Sequence, residues 1–209
     1  HTHSVHNPFS QFRKPFTIEE ILAAPPITYP ITLPMCAPLS DGAAAAILCT
    51  EAGLRRIGAD RRRCIRVAAS VLRSFTHRRM DQPELSVGHQ AANQAYEQAG
   101  LGPHDMHVAE VHDASAMGEI LQAENLGFVP FGGGGPAAER GEFTLGGRIP
   151  INTSGGLESK GHPLGATGIG QIYELVTQLR GEAGQRQVQG ARHAIQENGG
   201  GMQGIEEAA

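Results

Sequence analysis

Short apolar runs along this chain alternate with stretches whose apolar residues recur every three or four positions, so strands are expected to alternate with helices. Residues 41–49 are small and apolar throughout, which predicts a strand buried on both faces. Residues 64–72, 107–112, 149–151 and 191–196 read as further strands. Helices are expected over 17–22, 51–57, 86–99, 115–125 and from about Ala166 onward. The first opens with Thr17 and Glu20 spaced as a capping box. In 86–99, Val87, Ala91, Ala95 and Ala99 fall on one stripe and Gly100 supplies the stop. In the last helix Ile169, Ile172, Tyr173, Val176 and Leu179 make one apolar face. Four glycines at 132–135 predict a flexible loop with no packed element. Pro25, Pro26, Pro30, Pro34 and Pro38 exclude regular structure from most of residues 1–38, which reads as an arm or lid. The recurring strand–loop–helix unit is the α/β pattern, and no fixed-period repeat is present.

Composition narrows the function classes. At 209 residues the chain has room for one large domain or two small ones. A net charge of −4 makes no case for nucleic-acid binding. Arginines gather at Arg55, Arg56, Arg61–Arg63, Arg78 and Arg79; they either attract an anion such as a nucleotide phosphate or form a solvated face, the commoner role. Cys36, Cys49 and Cys64 show neither paired nor metal-ligand spacing, which predicts a reducing, cytoplasmic setting. No apolar run approaches about 18 residues, so no membrane span is expected, and the first residues lack a signal-peptide pattern. His1, His3 and His6 suggest a metal or, more commonly, a frayed terminus.

Candidate chemistry sits where predicted strands end. Residues 152–168 run from a strand through a glycine-rich loop to a helix start, a place where backbone N–H groups face outward. His162 lies in that loop with Pro163 restricting it. A histidine held there can act as a general base at neutral pH, or simply satisfy a carbonyl in a turn. Polar residues also end the strands at 111–115, with His112, and at 196–201, with Glu197. In an open α/β sheet ligands collect at such ends, so the three loops are candidates to converge.

The string Ser-Gly-Gly-Leu-Glu-Ser-Lys-Gly-His-Pro-Leu-Gly-Ala-Thr-Gly at 154–168 resembles the histidine loop of the thiolases, closest to sterol-carrier-type thiolases and their lipid-transfer-protein relatives. Residues 178–188 are similar to the same branch, and residues 3–12 resemble the end of the thiolase loop domain that covers bound coenzyme A. The resemblance implies an α/β thiolase-like fold, its C-terminal half with a mixed sheet packed between helices. It divides the chain into a loop-domain remnant at 1–38 and a C-terminal domain at 39–209. It further implies an acyl-CoA acyltransferase, working by Claisen condensation or thiolytic cleavage, with coenzyme A or acyl-CoA as substrate and no metal or covalently bound cofactor. His162 would be the base, His112 an oxyanion donor and Glu197 the acid. The backbone at Ser154, Gly155, Gly156, Gly199, Gly200 and Gly201 would line the acyl end. Ala114 and Glu197 stand where family members carry acid/base cysteines, and Ala37 where a serine contacts pantetheine. None of the three cysteines has the nucleophile's surroundings, and the nucleophile belongs to a half of the family enzyme outside this resemblance. This chain alone is therefore expected to be inactive, and the full-length enzyme a homodimer or homotetramer, with or without a partner subunit. The departures leave room for an aldolase acting on a hydroxyacyl-CoA, or for a non-catalytic acyl-CoA- or lipid-binding subunit.

Overall fold

The computed structural model describes residues 1–74, 78–79, 81–202 and 205–208. Its centre is β3 (Val108–Glu110), paired in parallel with β4 (Ala194–Gln196) so that Val108, Ala109 and Glu110 stand opposite Ala194, Ile195 and Gln196. On its other edge Ala109 makes a parallel bridge to Ile151, donating its N–H to Pro150 O at 3.1 Å and accepting the Asn152 N–H at 2.8 Å. Three parallel segments thus run side by side, as the apolar runs predict.

Every residue of β3 is buried, and alternation along it serves two different layers. Ala109 and Val111 face an apolar core with Ala92 and Tyr96 from α3 (Val87–Ala99), Ala123 from α4 (Ala116–Asn125) and Ala137 from α5 (Gly134–Glu139). Phe128, Phe143, Ile149 and Ile151 complete it. Glu110 faces the other way, toward α6 (Thr167–Leu179). The strand lies between helices, the α/β arrangement expected.

The shorter helices follow their local signals. Thr17 and Glu20 close a capping box on α1 (Ile18–Ala23), and Thr50 caps α2 (Glu51–Arg56). The proline-rich segment between them holds a small hairpin, β1 (Pro26–Thr28) with β2 (Ile31–Thr32), and a 3₁₀ turn at Leu33–Met35. In α3, Ser86 caps the start and left-handed Gly100 the end. Its buried stripe is Val87, Gly88, Ala92 and Tyr96, not the expected alanine row. Gly88 lets Gln122 and Asn125 of α4 approach, and Tyr96 donates its hydroxyl to Leu126 O at 2.9 Å. Residues 132–135 are likewise not a loose loop: α5 starts inside them. A Cβ at Gly134 would lie 2.7 Å from Ile120, and its N–H donates to buried Glu124 at 2.9 Å, so glycine there permits close helix packing.

Two larger expectations fail. Residues 41–49 and 64–72 form no regular structure and join no ladder, leaving Ile47 89% and Leu72 81% exposed. Small apolar residues match the composition of a buried strand, but a strand also needs a neighbouring edge for its N–H and C=O groups. Neither stretch has one among the described residues. The face of α6 is also inverted. Thr167, Gln171, Glu174, Leu175 and Gln178 are buried, whereas Ile169 and Tyr173 are exposed.

The inversion has a hydrogen-bonding cause. Glu174 forms an ion pair with Arg186 through contacts of 2.8 and 3.1 Å, both side chains being almost fully buried. Gln178 Nε2 shares its two protons among Thr153 Oγ1, Glu174 and Arg186 O, and its Oε1 accepts the Val188 N–H. Arg186 also donates to His6 O at 3.0 Å, tying in the N-terminal arm. These groups require partners more strongly than Ile169 or Tyr173 require burial.

The arm itself is anchored, contrary to the frayed terminus expected. His3 is half-buried, its Nδ1 bonded to Asn152 O and its Nε2 accepting the Leu145 N–H. Burial holds its pKa below the ordinary histidine value. Gln11 and Phe12 donate their N–H groups to Lys160 O and Ser159 O. Among the described residues no group of side chains has the makings of a metal site. Near the end of the chain β5 (Gly200–Met202) and β6 (Ile205–Ala208) form an antiparallel pair.

Removing one member of the buried ion pair strands the other. Arg186→Met is expected to destabilise the protein by about 3–5 kcal/mol in denaturant unfolding, with Glu174→Met in the same chain recovering most of the loss. A loss below about 1 kcal/mol, in the range of exposed pairs, would contradict the buried network.

Candidate functional site

The parallel register brings the three expected loops to one edge. β3 leads into Val111 and His112, β4 into Glu197, and the Ile151 segment into Asn152 and the histidine loop. Asn152 makes the first turn possible. It adopts φ 54°, a left-handed conformation that asparagine tolerates better than most residues. Its Oδ1 accepts the Val111 N–H at 2.8 Å and its Nδ2 donates to Glu119 at 2.9 Å. A single side chain therefore braces two of the loops.

The imidazoles of His112 and His162 meet edge to face, with ring centroids 4.9 Å apart at 85°. Glu197 joins them by accepting the His112 backbone N–H on Oε2 at 2.9 Å. His112 Nδ1 lies 3.3 Å from the Asn198 side-chain amide. His162 Nδ1 lies 2.7 Å from Thr167 Oγ1, and its backbone N–H donates to Ser40 Oγ at 3.1 Å. The three proposed catalytic residues thus sit in one cluster.

Electrostatics in the cluster favour neutral groups. Burial lowers the pKa of His112 and, together with His112 and Lys160, that of His162, so both imidazoles are free bases at neutral pH. Burial pushes the Glu197 carboxyl up to about 7, opposed only by the His112 N–H. Its Oε1 is buried without a partner among the described residues. Such a carboxyl can hold or release a proton at neutral pH.

A further acidic group lies behind the histidine loop. Asp113 accepts the Leu157 N–H at 2.7 Å and is raised by burial and by Glu119 and Glu158. Glu158 is pushed up to about 8 by burial and Glu119. Gly156 is required here, since a Cβ would lie 2.1 Å from Asp113 Oδ2 and φ is +59°. Ser154, Gly155 and Gly156 are all buried. Ser154 Oγ donates to Glu110 at 2.6 Å, and its carbonyl accepts from Asn7 and Ser10. They hold the loop from behind, while Gly199 is half-buried, Gly200 exposed, and Gly201 continues β5.

Other candidates find plainer roles. Arg55 and Arg61 pair with Glu51, Arg62 with Asp60, Arg63 with Glu182 and Arg79 with Asp81, so this part of the arginine cluster is matched by local carboxylates. Cys36 bridges Ser115, but burial and Glu158 push its thiol up, the reverse of nucleophile activation. Cys49 and Cys64 are free thiols. Asn152, Thr167, Asn198 and Ser40 were not singled out from the sequence. Thr167 belongs to the glycine-rich histidine loop by sequence, but its contact with His162 depends on the turn at Pro163.

Comparison with known proteins agrees with this architecture. Residues 69–208 match the family model described as "Thiolase C-terminal domain-like". The chain is 44% identical over 203 residues to sterol carrier protein 2 of Oryctolagus cuniculus, covering 95% of this chain and 37% of that protein. It is 42% identical over 205 residues to acetyl-CoA acetyltransferase of Methanothermobacter thermautotrophicus, covering 98% of this chain and 53% of that protein. Among solved structures, the Ltp2–ChsH2(DUF35) aldolase superposes with a TM-score of 0.72 at 20% identity, covering 99% of this chain and 53% of that one, a likeness of fold. The chain thus spans between about a third and a half of these relatives, and it belongs to the thiolase C-terminal domain-like family.

Proposed function

We propose that this chain is the histidine-bearing portion of an enzyme that makes or breaks a carbon–carbon bond in an acyl-CoA, by Claisen condensation or thiolytic cleavage of a β-ketoacyl-CoA. The observation carrying this reading is the meeting of His112, His162 and Glu197 at three adjacent strand ends. In cleavage, a cysteine from the rest of the longer protein attacks the ketone carbonyl after His162 takes its proton. The carbon–carbon bond breaks, its electrons pass to the departing acyl-CoA carbon, and the Glu197 carboxyl supplies the proton there. His112 faces the thioester oxygen as charge develops, beside the backbone of Gly199–Gly201. Coenzyme A then takes the acyl group from the cysteine. No metal or bound cofactor enters this scheme. The full-length protein works as a homodimer or homotetramer in the cytoplasm.

A second reading has its own support. Ala114 and Glu197 leave both acid/base positions without cysteine, and a structural neighbour is described as the Ltp2–ChsH2(DUF35) aldolase. Retro-aldol cleavage of a hydroxyacyl-CoA needs a base for the hydroxyl and an acid for the carbanion, but no nucleophilic thiol. Assays with acetoacetyl-CoA plus coenzyme A, and with a hydroxyacyl-CoA in parallel, separate the readings. Thiolysis supports the first and aldehyde or ketone release from the hydroxyacyl-CoA the second. Binding without turnover of either identifies a non-catalytic acyl-CoA subunit and refutes both.

His162→Ala in the full-length protein is expected to lower turnover by about 10²–10⁴-fold with little change in stability. Unchanged turnover removes it from the mechanism. Glu197→Gln is expected to lower turnover and to alter the pH dependence of stability. Between 4.5 and about 7 the folded protein keeps a proton on Glu197 that the unfolded chain releases, so this group's contribution to stability falls as pH rises through that window. The glutamine cannot ionise, so the variant gains stability relative to the parent between about pH 5 and pH 8. Denaturant midpoints at the two pH values check this; a pH-independent difference contradicts it.

A further inference from the structure

A histidine that acts as a base through Nε2 must carry its own proton on Nδ1, yet an imidazole without partners favours the opposite tautomer. His162 is given a partner. Its Nδ1 lies 2.7 Å from Thr167 Oγ1, and Thr167 Oγ1 lies 3.1 Å from Pro163 O. A hydroxyl has one proton to donate, and a carbonyl can only accept. With its proton directed to Pro163 O, 3.1 Å away, the Thr167 hydroxyl turns a lone pair to the ring and takes its hydrogen bond from Nδ1. Thr167 is only 2% exposed in the first turn of α6, so water does not compete for the hydroxyl. The ring's own backbone is held by its N–H donation to Ser40 Oγ, which in turn donates to Gln11 Oε1 at 2.6 Å.

We propose that Thr167 is a positioning residue that locks His162 in the Nδ1-protonated tautomer and leaves the Nε2 lone pair free. The catalytic consequence rests on His162 being the base, whereas the tautomer can be read directly. Thr167→Val suits the test because shape is kept and Pro163 O is not orphaned: it still accepts the Ala166 and Thr167 N–H groups at 2.8 and 3.0 Å. The group left without a partner is His162 Nδ1.

The experiment is side-chain ¹⁵N NMR of the histidine-labelled full-length protein at a pH where His162 is neutral, its signals identified by their loss in His162→Gln. The parent is expected to show a protonated Nδ1 and a bare Nε2. Thr167→Val should move the proton largely to Nε2, and Thr167→Ser should restore the parent pattern. With a substrate that is turned over, Thr167→Val should lower kcat by about 3–10-fold, the worth of one ordinary hydrogen bond, at unchanged KM. A parent ring protonated on Nε2 overturns the lock even if the valine variant does not fold. So does a valine variant that folds and keeps its Nδ1 proton. A protonated Nδ1 in a protein that turns over no acyl-CoA supports the lock and refutes the catalytic reading, so the two fail separately.

Discussion

The parallel register around β3 is the constraint on which the site depends. One edge of the strand is matched to Ala194–Gln196 and the other is bridged to Ile151. Because all three segments point the same way, their exits open on the same side, and His112, His162 and Glu197 meet although 85 residues separate the first from the last. A one-residue slip would reverse every side chain on a strand. It would turn Ala109 and Val111 out of the apolar core and drive Glu110 into it. The burial demanded by the core therefore also fixes the direction in which the loops leave.

Beneath the loops lies a polar layer, and its role is rigidity. Glu110, Thr153, Ser154, Glu174, Gln178 and Arg186 are buried and bonded to one another, and His6 ties the N-terminal arm to the same network. Burial raises the pKa of Glu110, and the neighbouring Glu174 carboxylate adds to the rise, to about 7. Arranged in this way, the groups hold the histidine loop from behind with directional bonds that apolar packing would not supply. The same exclusion of water acts at the front, where it keeps both histidines neutral and raises Glu197. Rigid backing and shifted pKa values thus share one physical cause.

The places where sequence and structure part company show what periodicity measures. Strand ends, caps and the α/β alternation were legible because each rests on local spacing: Thr17 with Glu20, Ser86 before α3, the apolar runs leading to His112 and Asn152. The face of α6 was not legible, because periodicity ranks residues by hydrophobicity and the polar layer needed Gln171, Glu174 and Gln178 inward. Ile169 and Tyr173 made the better apolar stripe and lie outside. Residues 41–49 failed for a related reason, since their composition suits a buried strand but says nothing about a neighbouring edge. The glycines at 132–135 were read as freedom, whereas Gly134 serves close approach. At the site, His112, His162 and Glu197 could be named from their loops and from the family resemblance. Asn152, Asn198 and Thr167 could not be given roles, because each acts through a contact that exists only once the chain is folded.

The three strand ends close over Glu197 and exclude water, leaving it 7% exposed. Titration of the Glu197 carboxyl by ¹³C NMR, in glutamate-labelled full-length protein with the signal identified by Glu197→Gln, tests this closure most directly. A carboxyl buried in this way is expected to titrate with a midpoint near 7. A midpoint near the ordinary value of 4.5 would mean that the carboxyl is open to solvent and that the loops do not assemble as described.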